Sequence, residues 1–596
     1  MQPASTSGAN GGSNRQLKRW GPIAGVLAVV AIGGGVLLAT KDDDSKTTTA
    51  ATTTVAAEST TPPETGPPDT GAPDTGVDTT GAPTDEITFP LSYSQAVEQG
   101  IEGDVEWGER CDTATGRLAV PDYFAPECMA PFTGDNGGVT ATGVTAEEIT
   151  VVNYIGQAND PIIAYITDAI DNDDTNEQYA DTMKGLVAYY EAYYELYGRK
   201  INLVTFEGTG GATDEVAARA DAATIAEQYS PFAVLGGPAL TSAFGDELAA
   251  RQVLCISCTP GQPANFYTDR DPYVWGLDGS ALQKQAHVLE FIEKQLIGKN
   301  AEHGGDAVKA LPRSFGLVYL ESSGASKDLA DTFAAAMDTM GSPLAAVAAY
   351  QLDPATIQQT ASQVITKMKA AGVTTIVFSG DPVAPRDFTN EATAQEYFPE
   401  WVVAASTLVD VTAFARTYDQ QQWAHAFGVT QLAARSNPTT SGAYANYEWF
   451  TGVEPPANDS IGVIAPSPAL FFAVVQGVGP NLSPETFRDT LFAAEGTRPG
   501  ISQPYLSYGD KGYWGGVADY QGVDDATAFW WDPVATGPDE IRREGTGMYQ
   551  YVDGGLRYLP GQWPTDDKMF DPAGAVAIYE TAPAGEERGD YPSPAG

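Results

Sequence analysis

Apolar and polar positions along the middle of this chain follow two periods, one typical of strands and one typical of helices. Short β-branched and aromatic runs recur from residue 149 onward, and longer stretches with helical periodicity separate most of them. The predicted strands are residues 149–156, 200–208, 232–237, 253–257, 314–320, 345–352, 374–380 and 401–406. The predicted helices are residues 182–198, 215–229, 240–252, 281–296, 327–341 and 355–372.

This order predicts an α/β fold with two Rossmann-like lobes. Strands joined by helices of this length need right-handed crossovers and form parallel sheets. The series restarts near residue 314, which indicates a second lobe similar to the first. Because ligands of open α/β sheets bind beyond the carboxyl ends of the strands, we expect the loops there to converge between the lobes. These loops are rich in Gly, Ser, Thr and Asp.

The N-terminal part of the chain differs from the rest in composition. Residues 20–40 carry no charge and are long enough to cross a hydrocarbon core of about 30 Å. Basic residues precede them and three aspartates follow, so the positive-inside rule predicts a single-pass protein of the cell membrane, with residues 1–19 cytoplasmic and the body extracytoplasmic. A cleaved signal peptide is the alternative. Residues 41–86, rich in Thr, Pro and Asp, are expected to form a disordered tether.

Charge and composition exclude several classes of function. The 596 residues carry 32 basic and 78 acidic side chains, a net charge of −46, which excludes binding to nucleic acid phosphates. Only three histidines are present, and no nucleophile elbow, Walker A loop or dinucleotide fingerprint occurs. We therefore expect a protein that is not an enzyme and has no cofactor or metal. Residues 171–178 resemble the start of a calcium loop but lack its glycine and its last acidic residue, so we expect a solvated acidic loop.

The four cysteines fall into two close pairs. Cys111 and Cys128, in an N-terminal extension over residues 87–140, are predicted to form a disulfide in an oxidising compartment. Cys255 and Cys258 form a C-x-x-C at the end of a predicted strand, with no helix directly after it. A structural disulfide at the rim of the site, buried free thiols and a redox pair are the alternatives, and we expect the first.

The order of elements over about residues 141–480 resembles that of a known family. The stretches that carry the resemblance include GVTAEEITVVNYIG, EVAARADAATIAEQYSPFAVLGG, SFGLVYLESSGASKDLADTFAAAM and ITKMKAAGVTTIVFSGD. They are similar to the type I periplasmic-binding proteins of ABC importers, in particular the branched-chain amino acid (leucine/isoleucine/valine) binding group. The resemblance implies a three-strand hinge with crossings near residues 279, 408 and 500. It implies a first lobe of residues 141–279 and 409–500, and a second lobe of residues 280–408 and 501–596.

The resemblance also implies a function. The protein would capture a small polar ligand of the amino acid or amide type between its lobes and deliver it to an ABC transporter permease. A ligand-sensing ectodomain or a cell-envelope scaffold on the same fold, without transport, is the alternative.

The family's ligand contacts can be carried over to positions in this chain. The loops that hold the ligand's carboxylate correspond to residues 237–241 and 257–261, and the second-lobe loop that meets the ammonium begins at residue 406. That loop is acidic only at Asp410, and Asp381 is an alternative partner for a cationic group. The candidate ligand-binding residues are Gln157, Gly237, Ala239, Thr241, Ser257, Cys258, Thr259, Gly261, Ser322, Ser323, Asp381, Ser406, Thr407 and Asp410.

Overall fold

Two sheets of different size form the framework of the molecule. The computed structural model describes residues 87–596, apart from 123, 239, 260, 323, 406, 407, 499, 584 and 585. The predicted cytoplasmic segment, transmembrane anchor and tether, residues 1–86, lie outside the described residues.

The N-terminal extension packs against what becomes the first lobe. It contains α1 (Tyr93–Gln99) and a short antiparallel pair, β1 (Cys111–Asp112) and β2 (Arg117–Leu118). Cys111 and Cys128 are joined by a disulfide, as predicted. Arg110 forms an ion pair with Glu195, which ties the extension to the segment before the second strand of the first sheet.

The first sheet is entirely parallel, with the strand order β4-β3-β5-β6-β7. Its strands are β3 (Glu148–Ile155), β4 (Lys200–Glu207), β5 (Ala233–Leu235), β6 (Leu254–Ile256) and β7 (Val274–Trp275). Inner strands β5 and β6 are buried on both faces, as expected when helices cover both sides of a parallel sheet. The intervening helices are α2 (Pro161–Asp168), α3 (Asn176–Tyr193), α4 (Glu215–Tyr229), α5 (Ala243–Ala250) and α6 (Ala264–Thr268).

The second sheet is larger and mixed, with the order β15-β14-β12-β11-β10-β8-β9 and β16 paired to β14. Its parallel strands are β8 (Phe315–Leu320), β9 (Ala346–Tyr350), β10 (Thr375–Ser379), β11 (Glu400–Ala404) and β12 (Ala426–Thr430). Antiparallel strands β14 (Ala526–Pro538), β15 (Glu544–Tyr551) and β16 (Arg557–Tyr558) extend it, and β13 (Arg435–Ser436) pairs separately with β17 (Ile578–Tyr579).

Alternate residues of the second sheet supply two separate cores. In β10, Ile376 and Phe378 belong to one apolar cluster and Val377 to the other, because successive side chains of a strand point to opposite faces. The helices of this lobe are α7 (Ala281–Phe291), extended by a π-helical turn over Ile292–Leu296, α8 (Gly324–Thr339), α9 (Ile357–Ala370), α10 (Ala384–Ala394), α11 (Thr412–Ala415) and α12 (Gln420–Trp423).

Four later helices return to the first lobe and complete its core. They are α13 (Gly442–Thr451), α14 (Ile461–Ile464), α15 (Pro466–Val478) and α16 (Pro484–Ala493). The ring of Phe472 in α15 stacks on Tyr190 of α3, with centroids 4.8 Å apart. The stretch Ile461–Val478 is long and apolar enough to cross a membrane, but 83% of it is buried inside the molecule. It therefore serves as a core helix.

Three segments that connect the lobes are residues 276–280, between β7 and α7, residues 431–441, between β12 and α13, and residues 519–526, which lead into β14. The first contains residue 279, where the resemblance places a crossing. The second differs from the predicted 408, because β12 pairs with β11 and so belongs to the second lobe. The third differs from the predicted 500, because residues beyond 500 still lie beside β7, with Tyr508 and Trp275 centroids 5.8 Å apart.

The C-terminal tail also departs from the predicted division. We expected residues 501–596 to belong entirely to the second lobe. The tail instead reaches the first lobe and the N-terminal extension: Arg588 donates to Asn446 Oδ1 (3.0 Å) and the Tyr591 hydroxyl to Asp112 Oδ2 (2.8 Å).

Candidate functional site

The candidate site is the cleft between the carboxyl edges of the two parallel arrays. One continuous cluster of buried apolar residues joins these edges. From the first lobe it includes Ala212, after β4, and Leu240, after β5. From the second lobe it includes residues at or just beyond strand ends, namely Leu320, Leu352, Val383, Val409 and Ala434. The two edges therefore face each other, as the sequence predicts for converging loops.

The three crossings form a hydrogen-bonded hinge at one side of this cleft. Gly279 N donates to Gln431 Oε1 (3.0 Å), and Gln431 Nε2 donates to the carbonyl of Val523 (3.2 Å). Gly276 N donates to the carbonyl of Tyr520 (2.9 Å). A Cβ at Gly279 would overlap Gln431 Nε2, so a larger residue would displace the Gln431 side chain that links the crossings.

Arg557 ties the second crossing to the third. Its guanidinium donates to Asp525 Oδ1 (2.8 Å), to the carbonyl of Leu432 (2.7 Å) and to that of Gln431 (2.9 Å). The Arg557 and Asp525 side chains are both fully buried. Arg498 pairs with the other carboxylate oxygen of Asp525 from a partly exposed position. The hinge is therefore built around a buried ion pair whose cation also satisfies backbone carbonyls.

Two predicted ligand loops of the first lobe touch each other. A Cβ on Gly237, after β5, would lie 2.7 Å from the carbonyl oxygen of Cys258, after β6. Cys258 is bonded to Cys255, and both are completely buried, which agrees with a structural disulfide and not with an accessible redox pair. Ser257 between them is half-buried and has a positive φ of 58°.

Several other predicted residues contact their own lobe. Thr241 Oγ1 accepts from Ala243 N (3.1 Å) at the start of α5, and buried Thr259 packs against Gly245 of the same helix. Ser322 is buried and its hydroxyl bonds to that of Ser326 (2.8 Å). Gln157 is exposed beyond β3 and Gly261 is half-buried beyond β6. Four predicted residues lie outside the described residues: Ala239, Ser323, Ser406 and Thr407.

Asp381, expected as an alternative partner for a cationic ligand group, caps helix α10 in the structure. Its side chain is completely buried. One oxygen accepts from the backbone N–H groups of Val383 (2.8 Å) and Ala384 (2.9 Å) at the start of α10, and the other from the hydroxyl of Tyr350 (2.6 Å). Burial raises the pKa of Asp381. Its carboxylate thus holds second-lobe groups together and does not line the cleft surface.

Asp410 remains the better candidate acid, together with a lysine that the sequence did not suggest. Asp410 is 5% exposed and accepts from the hydroxyl of Thr430 at the end of β12. Burial raises the pKa of Asp410 to about 6, while the charge of Lys284 in α7 opposes this shift. Lys284 itself forms an ion pair with Asp278 in the first crossing. These three charged groups can compensate a ligand group that has N–H donors or a positive charge.

Helix α2 lies beyond the carboxyl edge of the first sheet and contacts the second lobe. It begins directly beyond β3, where Asp160 Oδ1 accepts from Ile162 N (2.7 Å) and Ile163 N (3.0 Å) and Pro161 occupies the first turn. Its side chains Ile162, Ile163, Tyr165 and Ile166 pack against the apolar cluster that joins the two lobes. Arg386 of α10 donates to the Tyr165 hydroxyl (2.8 Å).

One arginine of the β14–β15 hairpin holds the segment directly after α2, and its neighbour Arg542 contacts a nearby first-lobe loop. Arg543 donates to the carbonyls of Ile170 and Asp171, the latter at 2.7 Å, and also pairs with Asp459 (2.7 Å). Arg542 donates to the carbonyl of Asn458 (2.8 Å). The acidic loop after α2, expected to be solvated, therefore takes part in a contact between the lobes.

The sequence analysis missed the residues that close the cleft. Residues 161–170 were assigned to no element, although Ile162, Ile166 and Ile170 have helical spacing and the cap Asp160 followed by Pro161 marks a helix start. Lys284 and Arg557 gave no signal, because their partners come from residues far away in the chain.

A small pocket, partly open to solvent, lies outside the cleft on the first lobe. Residues of α3, α13, α15 and the N-terminal extension line it, among them Asp122, Tyr189, Tyr190 and Tyr194. Asp122 accepts from Asn446 Nδ2 (2.8 Å), and burial raises its pKa.

No protein family and no curated protein matches the chain. Several solved structures are similar to it. The branched-chain amino acid transporter substrate-binding protein LivJ from Streptococcus pneumoniae, in complex with isoleucine, is 13% identical over 68% of this chain and 100% of its own, with a TM-score of 0.45. A solute-binding protein of an ABC transporter from R. palustris, in complex with 4-hydroxybenzoate, is 10% identical over 70% and 99%, with a TM-score of 0.44.

A leucine-, isoleucine-, valine-, threonine- and alanine-binding protein from Brucella ovis, in its closed conformation, is 13% identical over 71% of this chain and 98% of its own, with a TM-score of 0.46. These three proteins belong to the group that the sequence resembles, the type I periplasmic solute-binding proteins, including branched-chain amino acid binding proteins.

Proposed function

We propose that the protein is a solute-binding protein, which captures a small ligand between its two lobes and presents it to the permease of an ABC transporter. The observation that carries this proposal is the arrangement of the two lobes. The carboxyl edges of two parallel arrays face each other across a hinge of three chain segments. In open α/β sheets these edges are the places where ligands bind.

The ligand we propose is small and carries an amino or amide group. Asp410, Lys284 and Asp278 together have one net negative charge when all three are ionised. A donor group of the ligand near Asp410 would compensate that charge. Glycine-rich loops after β5 and β6 leave backbone groups close to the cleft, and Gly237 is half-buried there. No chemical step is proposed, because ligand capture and release need only a change in lobe closure.

We also propose that the body acts outside the cytoplasm and is attached to the membrane through residues 20–40. Two disulfides, Cys111–Cys128 and Cys255–Cys258, support an oxidising compartment. The uncharged stretch followed by a Thr- and Pro-rich tether supports an anchor that allows the body to reach away from the bilayer.

A thermal-shift screen of the purified full-length protein tests this function. The compounds are amino acids, amides, short peptides, sugars and aromatic acids. A compound at 100 times its Kd should stabilise the native state by about 2.7 kcal/mol. The proposal is rejected if no compound in any class raises the unfolding temperature.

Two variants then locate the ligand. Asp410→Asn should weaken binding of the identified compound at least tenfold, because its charge partner is lost. Asp419→Asn is the matched control, since Asp419 caps α12 in the same lobe and asparagine can cap equally well. Equal affinity in both variants would place the ligand elsewhere in the cleft.

A second candidate function is supported by one observation. The apolar cluster that joins the lobes already fills part of the cleft. A cell-envelope scaffold or a ligand-sensing ectodomain that works in the closed form would have such a contact. Co-purification with a permease and an ATPase from membranes of the source cell favours transport, and their absence from the purified complex favours this alternative.

A further inference from the structure

We propose that helix α2 is a built-in occupant of the cleft, which holds the lobes together without a ligand and which a bound ligand displaces. The inference rests on the proposed function, since it assigns a regulatory element to the same cleft. It concerns a segment of the chain that lies between β3 and α3.

Helix α2 begins at the carboxyl edge of the first sheet. Asp160, directly beyond the central part of the first sheet, is 4% exposed. Its carboxylate accepts from two N–H groups of α2 and from Ala212 N after β4. The start of α2 is therefore fixed to the carboxyl edge of the first sheet, at the place where a ligand of an α/β fold binds.

The two faces of α2 differ in their exposure. Ile162, Ile163, Tyr165 and Ile166 are partly buried and pack against the apolar cluster that joins the lobes, and Tyr165 contacts Arg386 of the second lobe. Ala164 and Asp168, on the other face, are exposed. Helix α2 thus presents an apolar stripe to the opposite lobe, as a bound apolar group of a ligand would.

Helix α2 is only partly buried and can leave its position without unfolding the lobes. No residue of α2 is fully buried, whereas twelve residues of α15 are. Side-chain contacts and the carbonyl contacts of Arg543 hold α2 to the second lobe, and α2 is not part of either sheet. A contact of this kind can be released without unfolding of either lobe. A ligand that needs the same space must then compete with α2, which lowers its apparent affinity by the fraction of molecules in which α2 has moved.

Hydrogen exchange measured by mass spectrometry on the full-length protein tests the closure without any ligand. The test variant is Ile162→Ser/Ile166→Ser, and the matched control is Ala164→Ser on the exposed face of the same helix. We expect exchange of the amides of residues 383–388, next to Arg386, to become at least tenfold faster in the test variant and to stay unchanged in the control. Amides of β10 should stay protected in both, which shows that the lobe is folded. Unchanged exchange at 383–388 in the test variant overturns the inference.

Binding measurements with L-isoleucine and 4-hydroxybenzoate as probes distinguish two roles of α2. It either competes with the ligand for the cleft or forms part of the binding surface. If α2 competes with the ligand, a probe binds the test variant at least tenfold more tightly than the wild type. If the test variant binds a probe more weakly, α2 forms part of the binding surface and the inference is wrong. If neither probe binds either protein, that result counts against the proposed function for these two ligand classes, and the exchange result alone decides on α2.

Discussion

Replacement of Arg557 by methionine should destabilise the protein through its hinge. The guanidinium is completely buried, pairs with the buried carboxylate of Asp525 and donates to two carbonyls of the second crossing. Methionine fills a similar volume but removes every donor. Breaking a buried ion pair by removal of one partner costs about 3–5 kcal/mol, because the other charge stays buried.

The expected loss for Arg557→Met is about 4 kcal/mol of unfolding free energy. Arg498 still faces Asp525 and limits the loss, whereas the carbonyls of Gln431 and Leu432 lose their donors and add to it. Lysine at position 557 keeps the charge but cannot donate to all three groups in one plane. Arg557→Lys should therefore lose less unfolding free energy than Arg557→Met, but more than about 1 kcal/mol.

Equilibrium urea unfolding at pH 7, followed by tryptophan fluorescence, measures these losses. Arg498→Met is the control, since this side chain is 27% exposed and its pair with Asp525 should contribute about 1 kcal/mol or less. A loss below about 1 kcal/mol for Arg557→Met would refute the view that the hinge depends on this buried pair.

Three further predictions concern stability. Glu400→Gln should cost about 3 kcal/mol in urea unfolding, because the side chain of its partner Arg313 is only 1% exposed; a loss under 1 kcal/mol contradicts this. The wild-type unfolding free energy should fall as pH rises from about 4 to 7, because burial raises the pKa of Asp410 from 3.8 to about 6 and disfavours its charged form. Asp410→Asn should make this fall smaller by about 3 kcal/mol, measured by urea titrations at a series of pH values. An unchanged dependence of the unfolding free energy on pH contradicts this prediction. Cys111→Ser/Cys128→Ser should lose about 3 kcal/mol in thermal unfolding, since the bond closes a loop with a sequence separation of 17.

Local pattern was enough to find most of the framework. Eight strands were predicted, and each corresponds to a strand of the structure within a few residues, such as residues 200–208 for β4 (Lys200–Glu207). Helix α4 matches its predicted bounds. These segments are long or strongly periodic, so their burial pattern is visible in the sequence itself.

Elements that depend on distant partners were missed or misplaced. β12 is a five-residue strand that became recognisable only through its pairing with β11 and β14, and the prediction left it out. β7 has two residues, too few for any period.

The prediction of the site was also limited by contacts that the local sequence does not show. Loops after β5 and β6 were placed together, because parallel strand order dictates that neighbours share an edge. The direction of a single side chain was not predictable: Asp381 caps its own helix, and Thr259 turns inward. A sequence shows that an acid follows a strand, but the choice between a helix cap and a ligand contact depends on which backbone N–H groups lie nearby.

The chain completes each lobe with segments that come late in the sequence. This order affects how the protein is made as well as how it works. The first sheet is finished by residue 275, yet helices α14 and α15, which cover it, follow the five parallel strands of the second lobe. β12 likewise lacks one neighbouring strand until β14 has been made. Trp530 of β14 lies opposite Phe427 of β12, which comes about a hundred residues earlier in the chain. During synthesis, each lobe therefore exposes an unfinished apolar surface until most of the chain has emerged. Such a chain folds late and through long-range contacts, so its folding should depend on factors that shield apolar surface until synthesis is complete.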